Sequence, residues 1–205
     1  MMPFRARFVT SAAKPEDFPP EKLPEIAVVG RSNVGKSSVI NALVRQDLAR
    51  TSRTPGRTRL VNWFEVDQRF HLVDLPGYGY AEVSRDMRES WRPLIEAFLS
   101  TRGTLAGVLL LVDVRRGVED EELDFVPWLE ERQTPIVVAL TKADKLAKAK
   151  RMLEVTKCKH ALGLRDYPAD RAQPGPLRIG PLAVSAQTGD GVDELRRALA
   201  ALVEK

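Results

Sequence analysis

Gly30-Arg31-Ser32-Asn33-Val34-Gly35-Lys36-Ser37 decides how the rest of this 205-residue chain is read. The stretch matches G-x-x-x-x-G-K-[ST], a loop whose backbone N–H groups wrap the phosphates of a nucleoside triphosphate. Gly30 and Gly35 stand where a Cβ would block the backbone angles or the close approach of a phosphate. In such a loop the lysine, here Lys36, reaches the β- and γ-phosphates, and the Ser37 hydroxyl ligates Mg2+. Ile26-Ala27-Val28-Val29 just before it reads as a buried strand. The run Ser38-Val39-Ile40-Asn41-Ala42-Leu43-Val44 after it reads as a helix whose N-terminal dipole faces the anion. A glycine-rich turn that matches by accident is the competing reading, and the strand-before, helix-after context speaks against it.

The length suits one α/β domain with a substantial core. A net charge of +4 and a pI near 9.3 permit a nucleic-acid partner without demanding one. The single cysteine, Cys158, cannot form an internal disulfide, so a reducing compartment is expected. Lys14, Glu16 and Asp17 interrupt the N-terminus before a signal-peptide core can form. No run approaches the ~18 apolar residues of a membrane span. The expectation is a soluble, cytoplasmic, monomeric protein without membrane contact: an arm over residues 1–24, then one domain over 25–205.

Pro15, Pro19, Pro20 and Pro24 punctuate the arm, in which Arg7-Phe8-Val9 is a candidate edge strand. Asp47 to Arg59 is an Arg- and Thr-rich loop, and a loop of that length in a compact domain is more often functional than idle. Leu60–Val66 and Phe70–Val73 flank the polar turn Asp67-Gln68-Arg69 and read as a hairpin. Trp91, Leu94, Ile95, Phe98 and Leu99 recur at helical spacing. Gly107–Asp113 and Pro135–Leu140 read as strands buried on both faces. An acidic helix over Glu119–Arg132 separates them. A basic helix carrying Lys145, Lys148, Lys150, Arg151, Lys157 and Lys159 follows. Tyr167–Pro181 reads as a Pro/Gly-rich surface excursion, Leu182-Ala183-Val184 as a last short strand, and Val192–Val203 as a closing helix. Strands alternating with helices predict a mostly parallel six-stranded sheet, helices on both faces, and one antiparallel edge hairpin.

Three further elements fall where a phosphate-loop domain needs them. Asp74-Leu75-Pro76-Gly77 ends a strand ~40 residues after the phosphate loop, where the next core strand of such a domain is expected. An aspartate there can hold Mg2+ through water, and the Gly77 N–H can sense the γ-phosphate. A turn capping a helix is the alternative. Thr141-Lys142-Ala143-Asp144 follows a buried strand. A fixed Asp144 carboxylate can accept from N1–H and the 2-amino group of guanine, donors that adenine lacks, and the Lys142 stem can lie over the purine. A plain helix cap is the alternative here. Ser185-Ala186, just past the final strand, can offer a backbone N–H to the guanine O6, with Val184 at the strand's end as a neighbouring nucleotide contact.

Together these elements resemble the guanine-nucleotide-binding domain of the translation-factor class of small GTPases, and in detail the bacterial EngB (YihA/YsxC) family. The resemblance rests on Gly30–Ser38, Thr54-Pro55-Gly56-Arg57-Thr58, Val61-Asn62-Trp63-Phe64, Thr141–Asp144 and above all Asp74-Leu75-Pro76-Gly77-Tyr78-Gly79-Tyr80-Ala81. Phe8-Val9-Thr10-Ser11-Ala12 resembles the family's N-terminal arm. It implies a P-loop G domain that binds GTP and GDP with Mg2+, and Thr58 as second hydroxyl ligand beside Ser37 and Asp74. It also implies nucleotide contacts from Gly56, Arg57, Thr58, Arg59 and Leu60, and catalytic roles for Lys36, Thr58 and Gly77. The family's link to large-subunit ribosome assembly and to cell division and septation implies a ribosomal or rRNA partner. Two departures stand out: Arg59 replaces the usual glutamine, and the Pro/Gly stretch of residues 165–181 is longer than expected.

Ras-type GTPases carry, after the Asp-x-x-Gly glycine, a glutamine that orients the attacking water. Tyr78 stands there in this chain, so hydrolysis by the isolated protein should be slow, with Mg2+ and Lys36 supplying charge stabilisation. The alternative is a GTP-dependent ribosome- or RNA-binding module with negligible catalysis; a nucleotide kinase is a third reading, against which Thr141–Asp144 counts. Arg45, Arg50, Arg53, Arg57 and Arg59 cluster around the first switch loop, while Glu119, Asp120, Glu121, Glu122 and Asp124 are expected to lie elsewhere. Such an asymmetry suits RNA phosphates on one face. Asn33 occupies the position at which related GTPases use K+ as an extra positive charge, though it can equally be a loop-stabilising side chain. Faster GTP hydrolysis in K+ than in Na+ buffer is the expected result of the first role, and equal rates would remove it.

Overall fold

The computed structural model describes residues 4–49, 60–78, 85–167 and 178–204, without the side chains of 85–92. Its strands are β1 (Ala6–Ala12), β2 (Glu25–Gly30), β3 (Val61–Val66), β4 (Phe70–Asp74), β5 (Leu105–Asp113), β6 (Ile136–Thr141) and β7 (Arg178–Ala183). The helices are α1 (Lys36–Val44), α2 (Arg85–Thr101), α3 (Asp120–Glu131), α4 (Lys148–Ala161) and α5 (Val192–Val203). Strand order is β1-β3-β4-β2-β5-β6-β7. Only β3 runs against its neighbours, pairing antiparallel with both β1 and β4. From β2 the chain crosses first towards β3 and β4, then returns to build β5, β6 and β7 on the other side. The carboxyl end of β2 is therefore the point where connections diverge, and open α/β sheets bind ligands there.

The central strands read as unbroken apolar runs because helices cover both faces of the sheet. Ile26 and Val28 pack with Ile40 and Leu43 of α1 and Leu195 and Leu199 of α5. The alternate residues Ala27 and Val29 pack with Leu94 and Phe98 of α2, Val126 and Leu129 of α3, and Cys158 of α4. Tight packing on both faces leaves β2 little freedom, and β2 sets the position of the loop that follows it.

The expected six-stranded sheet gains a seventh strand from the N-terminal arm. Candidate edge strand Arg7-Phe8-Val9 extends to seven residues and pairs along the hairpin strand β3. Phe4 packs edge-on against Phe70 at 5.5 Å, and Arg5 and Asp67 exchange hydrogen bonds at the hairpin turn. Asp67 and Gln68, with φ of 49° and 56°, are the left-handed central pair of the turn that the Arg69 N–H closes on the Val66 carbonyl at 2.9 Å.

The last strand also differs from expectation. It begins at Arg178, so Gly180-Pro181 lies inside β7 and not in the surface excursion. A register shift explains this: Val137 pairs with Ile179 and Ala139 with Leu182, so Gly180-Pro181 falls at an irregularity of the ladder in the edge strand, where a proline is tolerated. The rest of the excursion, residues 168–177, lies outside the described residues.

At the end of the sheet remote from the phosphate loop, the first residue of β2 is a fully buried carboxylate. Glu25 accepts two bonds from the Arg102 guanidinium at 2.8 Å, one from Trp63 Nε1 at 2.9 Å and one from Thr104 Oγ1 at 2.9 Å. Arg102 also donates to the Pro19 carbonyl at 2.9 Å, binding the arm to this corner. A buried pair with every acceptor filled tolerates loss of one partner badly. Glu25→Ala should destabilise the protein by about 3–5 kcal/mol in denaturant melts, and replacing Glu25 and Arg102 together by apolar residues should cost clearly less than the sum of the single changes.

Candidate nucleotide site

The phosphate loop leaves β2 through Gly30, where φ is 156° and a Cβ would sit 2.7 Å from the Leu111 carbonyl oxygen. Gly35, with φ of 104°, opens α1, and Lys36 is the helix's first residue. Two contacts from the carboxyl end of β6 pin the loop between these glycines. Thr141 Oγ1 donates to the Val34 carbonyl at 2.7 Å. Lys142 Nζ donates to the Asn33 carbonyl at 2.6 Å and to Asp113 Oδ2 at 2.9 Å. The element read as base-selecting is thus bolted to the phosphate loop. Asp113 passed in the sequence as the end of a strand, yet it is the anchor here. Burial raises its pKa, but hydrogen bonds from Arg115 and Lys142 outweigh that and hold it down at about 2. A carboxylate closing a buried run at the same end of the sheet as Asp74 is the signal that would have found it.

Asp74 closes β4 and is buried, and its Oδ1 has no hydrogen-bond partner among the described residues. Burial pushes its carboxyl group up, opposed by the nearby Lys36 ammonium. An orphaned, desolvated carboxylate oxygen next to the first turn of α1, which carries the Ser37 hydroxyl, suits a hard divalent cation with oxygen ligands. Leu75 is fully buried beneath this element. After Pro76, Gly77 packs directly on the phosphate loop, where a Cβ would lie 3.0 Å from Ser32 Cα and 3.1 Å from Lys36 Nζ. Ser32 Oγ donates to the Gly77 carbonyl at 3.3 Å, and the Ser32 N–H donates to the Tyr78 carbonyl at 2.8 Å.

Tyr78 turns away from the phosphate positions. Its hydroxyl donates to Glu122 Oε1 at 2.8 Å and its ring lies 6.3 Å from that of Phe125. Glu122 is itself buried and caps α3 through the Glu119 N–H. Arg31 of the phosphate loop forms ion pairs with Glu119 at 2.9 Å and Glu121 at 2.5 Å. The acidic segment, expected to lie away from the Arg-rich first switch loop, thus borders the phosphate loop. Because α3 follows β5, the neighbour of β2, its N-terminus must border the phosphate loop.

Beside the first turn of α1 opens a cavity of about 590 Å³, of a size that suits a nucleoside. Thr141, Lys142, Asp144, Lys145, Ala186 and Gln187 line one side, and α1 with the turn after it lines the other. Asp144 accepts from Ser185 Oγ at 2.7 Å and pairs with Lys145 Nζ at 2.9 Å. These bonds, that of Ser185 foremost, lower its pKa and keep it an acceptor. Ser185 is fully buried, and its hydroxyl also accepts from the Thr188 N–H at 3.1 Å. The Ala143 N–H donates to the Val184 carbonyl at 3.1 Å, joining the loops after β6 and β7. The Lys142 stem passes over Gly35, with Cε 3.8 Å from a Cβ built there. Ser38 lines the same cavity on α1.

The structure therefore brings the segments 30–38, 74–77, 141–144 and 184–186 to one end of the sheet. Gly56, Arg57, Thr58 and Arg59, with Arg50 and Arg53, lie outside the described residues, as do residues 79–84. Leu60 is described and is 39% exposed at the start of the hairpin. Among the described residues no helix is long and apolar enough to cross a membrane.

Comparison with known proteins places this arrangement. Residues 25–142 match the family described as 50S ribosome-binding GTPase. The chain is 44% identical over 200 residues to a protein of Desulfatibacillum aliphaticivorans named "probable GTP-binding protein EngB", over 97% of this chain and 92% of that relative. The fold resembles the crystal structure of a "probable GTP-binding protein engB" with TM-score 0.67 and 23% identity, covering 87% of this chain and 98% of the other. It also resembles Era in complex with MgGDPNP and nucleotides 1506–1542 of 16S ribosomal RNA, with TM-score 0.66 and 21% identity over 91% of this chain and 58% of Era. Fold and site define a guanine-nucleotide-binding GTPase domain. Within that class the chain belongs to the EngB family of GTP-binding proteins.

Asp144→Asn should weaken GTP binding and strengthen binding of xanthosine triphosphate, whose 2-oxo group accepts from an amide. A swing in preference of at least ~100-fold is expected by nucleotide competition, since unpaired polar groups at such sites discriminate strongly. A variant that still prefers GTP would remove Asp144 from base recognition.

Proposed function

We propose that the protein is a slow GTP-hydrolysing switch that acts in assembly of the large ribosomal subunit, and through it in normal cell division and septation, in the cytoplasm. The observation that carries the reading is the clamp between Lys142 and the Asn33 carbonyl, which couples the base-reading loop to the phosphate grip. In this reading Asp144 and the Ala186 N–H select guanine, Lys36 and the phosphate-loop amides hold the β- and γ-phosphates, and the Gly77 N–H senses the γ-phosphate. Ser37, Asp74 and Thr58 would hold Mg2+, which when bound neutralises charge developing on the phosphates. The orphaned Asp74 oxygen supports that assignment. The match to a family described as 50S ribosome-binding supports a ribosomal partner, and the basic residues of α4, among them Lys148 and Lys150, offer counter-charge for RNA phosphates.

A second reading, a GTP-dependent binding module with negligible catalysis, draws support from Tyr78. Its hydroxyl is engaged by Glu122 at the position where Ras-type enzymes orient water. Multiple-turnover phosphate release with and without ribosomal particles separates the two: stimulation supports the switch, and none supports the module. Both readings predict that the protein sediments with large subunits when loaded with a GTP analogue and much less when loaded with GDP. Failure to sediment in either state would sink the ribosomal assignment.

A further inference from the structure

The turn that follows α1 forms the wall of the cavity facing Asp144 and Lys145, and one side chain organises it. Asn41 Oδ1 accepts from the Leu48 N–H at 3.0 Å and the Ala49 N–H at 2.7 Å, while Nδ2 donates to the Ala49 carbonyl at 2.9 Å. The main-chain carbonyl of the same residue accepts the N–H groups of Arg45 and Gln46. Arg45, left-handed with φ of 51°, ends the helix and sends the chain back over Asn41. Arg45, Gln46 and Asp47 are exposed to solvent and line the cavity together with Asn41. On the other side of the helix the buried Arg196 guanidinium donates to the Leu43 carbonyl at 2.7 Å and the Ala42 carbonyl at 2.6 Å. The last turn of α1 is thus held from α5, and Asn41 projects from that fixed support.

We propose that Asn41 is a positioning residue for the nucleoside half of the nucleotide. It holds the Arg45–Ala49 turn as the second wall of the cavity that Thr141–Lys145 and Ala186 bound on the opposite side. The proposal rests on reading that cavity as the base and ribose site. The phosphate loop precedes Asn41 and is held independently by Thr141 and Lys142, so loss of the Asn41 side chain leaves the phosphate grip in place.

The test uses the full chain and two ligands, GDP and inorganic tripolyphosphate, each with Mg2+ and titrated by calorimetry. Asn41→Ala should weaken GDP binding about tenfold or more, the scale expected for loss of two or three hydrogen bonds that order a wall of the site. Tripolyphosphate affinity should stay within about twofold of the parent protein. Asn41→Asp should recover only part of the GDP affinity, because a carboxylate still accepts from both N–H groups but sets its second oxygen against the Ala49 carbonyl. Equal losses for both ligands would reveal a general structural role and overturn the proposal, as would unchanged GDP binding in Asn41→Ala. Asp144→Asn measured alongside separates the two levels. If it leaves base preference untouched, the nucleoside reading of the cavity fails and the proposal falls with it. If it switches preference while the Asn41 variants bind as the parent does, only the role of Asn41 is lost.

Discussion

The site depends on one ammonium group. Lys142 Nζ lies between the Asn33 carbonyl and the Asp113 carboxylate, with neither distance above 2.9 Å. Phosphate loop, β5 and the loop after β6 meet at that point. The left-handed backbone of Lys142, with φ of 57°, aims the side chain back across the phosphate loop and not out along the strand. Strain of this kind persists only where the surroundings over-determine it. Here they do: Thr141 is hydrogen-bonded to Val34 on one side, and Ala143 is bonded to Val184 on the other. The distance between the 30–37 loop and the Thr141–Asp144 loop is thereby set by the protein's own contacts.

A second constraint operates at the opposite end of the sheet, where Glu25 is satisfied by Arg102, Trp63 and Thr104. Buried charges of this kind are poor evidence of extra stability, but they penalise any packing in which their partners fail to meet. The partners come from the strand after the first switch segment and from the end of α2. A shifted register of β2 would orphan the carboxylate, and the phosphate loop one strand-length away would shift with it.

Much of this was legible in the residues. Apolar runs such as Ile26–Val29 and Gly107–Asp113 mark strands buried on both faces, and the four polar elements follow strands because ligands in open α/β sheets collect at carboxyl ends. What local pattern could not show depends on contacts between distant segments. The arm became a full strand because β3 offered an unpaired edge, which no short-range signal in Arg7–Val9 records. Gly180-Pro181 reads as a breaker, yet an edge strand accommodates it. The acidic run Glu119–Asp124 looks like a solvated face until topology sets its first turn against Arg31 and Tyr78. Asn41 and Arg196 sit within ordinary helical patterns, and their roles appear only when the polar atoms they satisfy on other segments are traced.

The order in which the site's parts occur along the chain has a consequence for how the protein comes to exist. Its phosphate grip is encoded by residues 30–37, but the clamp on that grip waits for Lys142, and the buried Ser185 that orients Asp144 lies later still. Pairings this remote in sequence close slowly, because the entropy of the intervening chain is lost before the contacts form. A ligand that needs both the 30–37 loop and Asp144 is therefore held in full only once the chain has been made past Ser185. Ligand binding favours whichever state it recognises, so a ligand spanning these segments would act late, on a fold whose distant pairings have already closed.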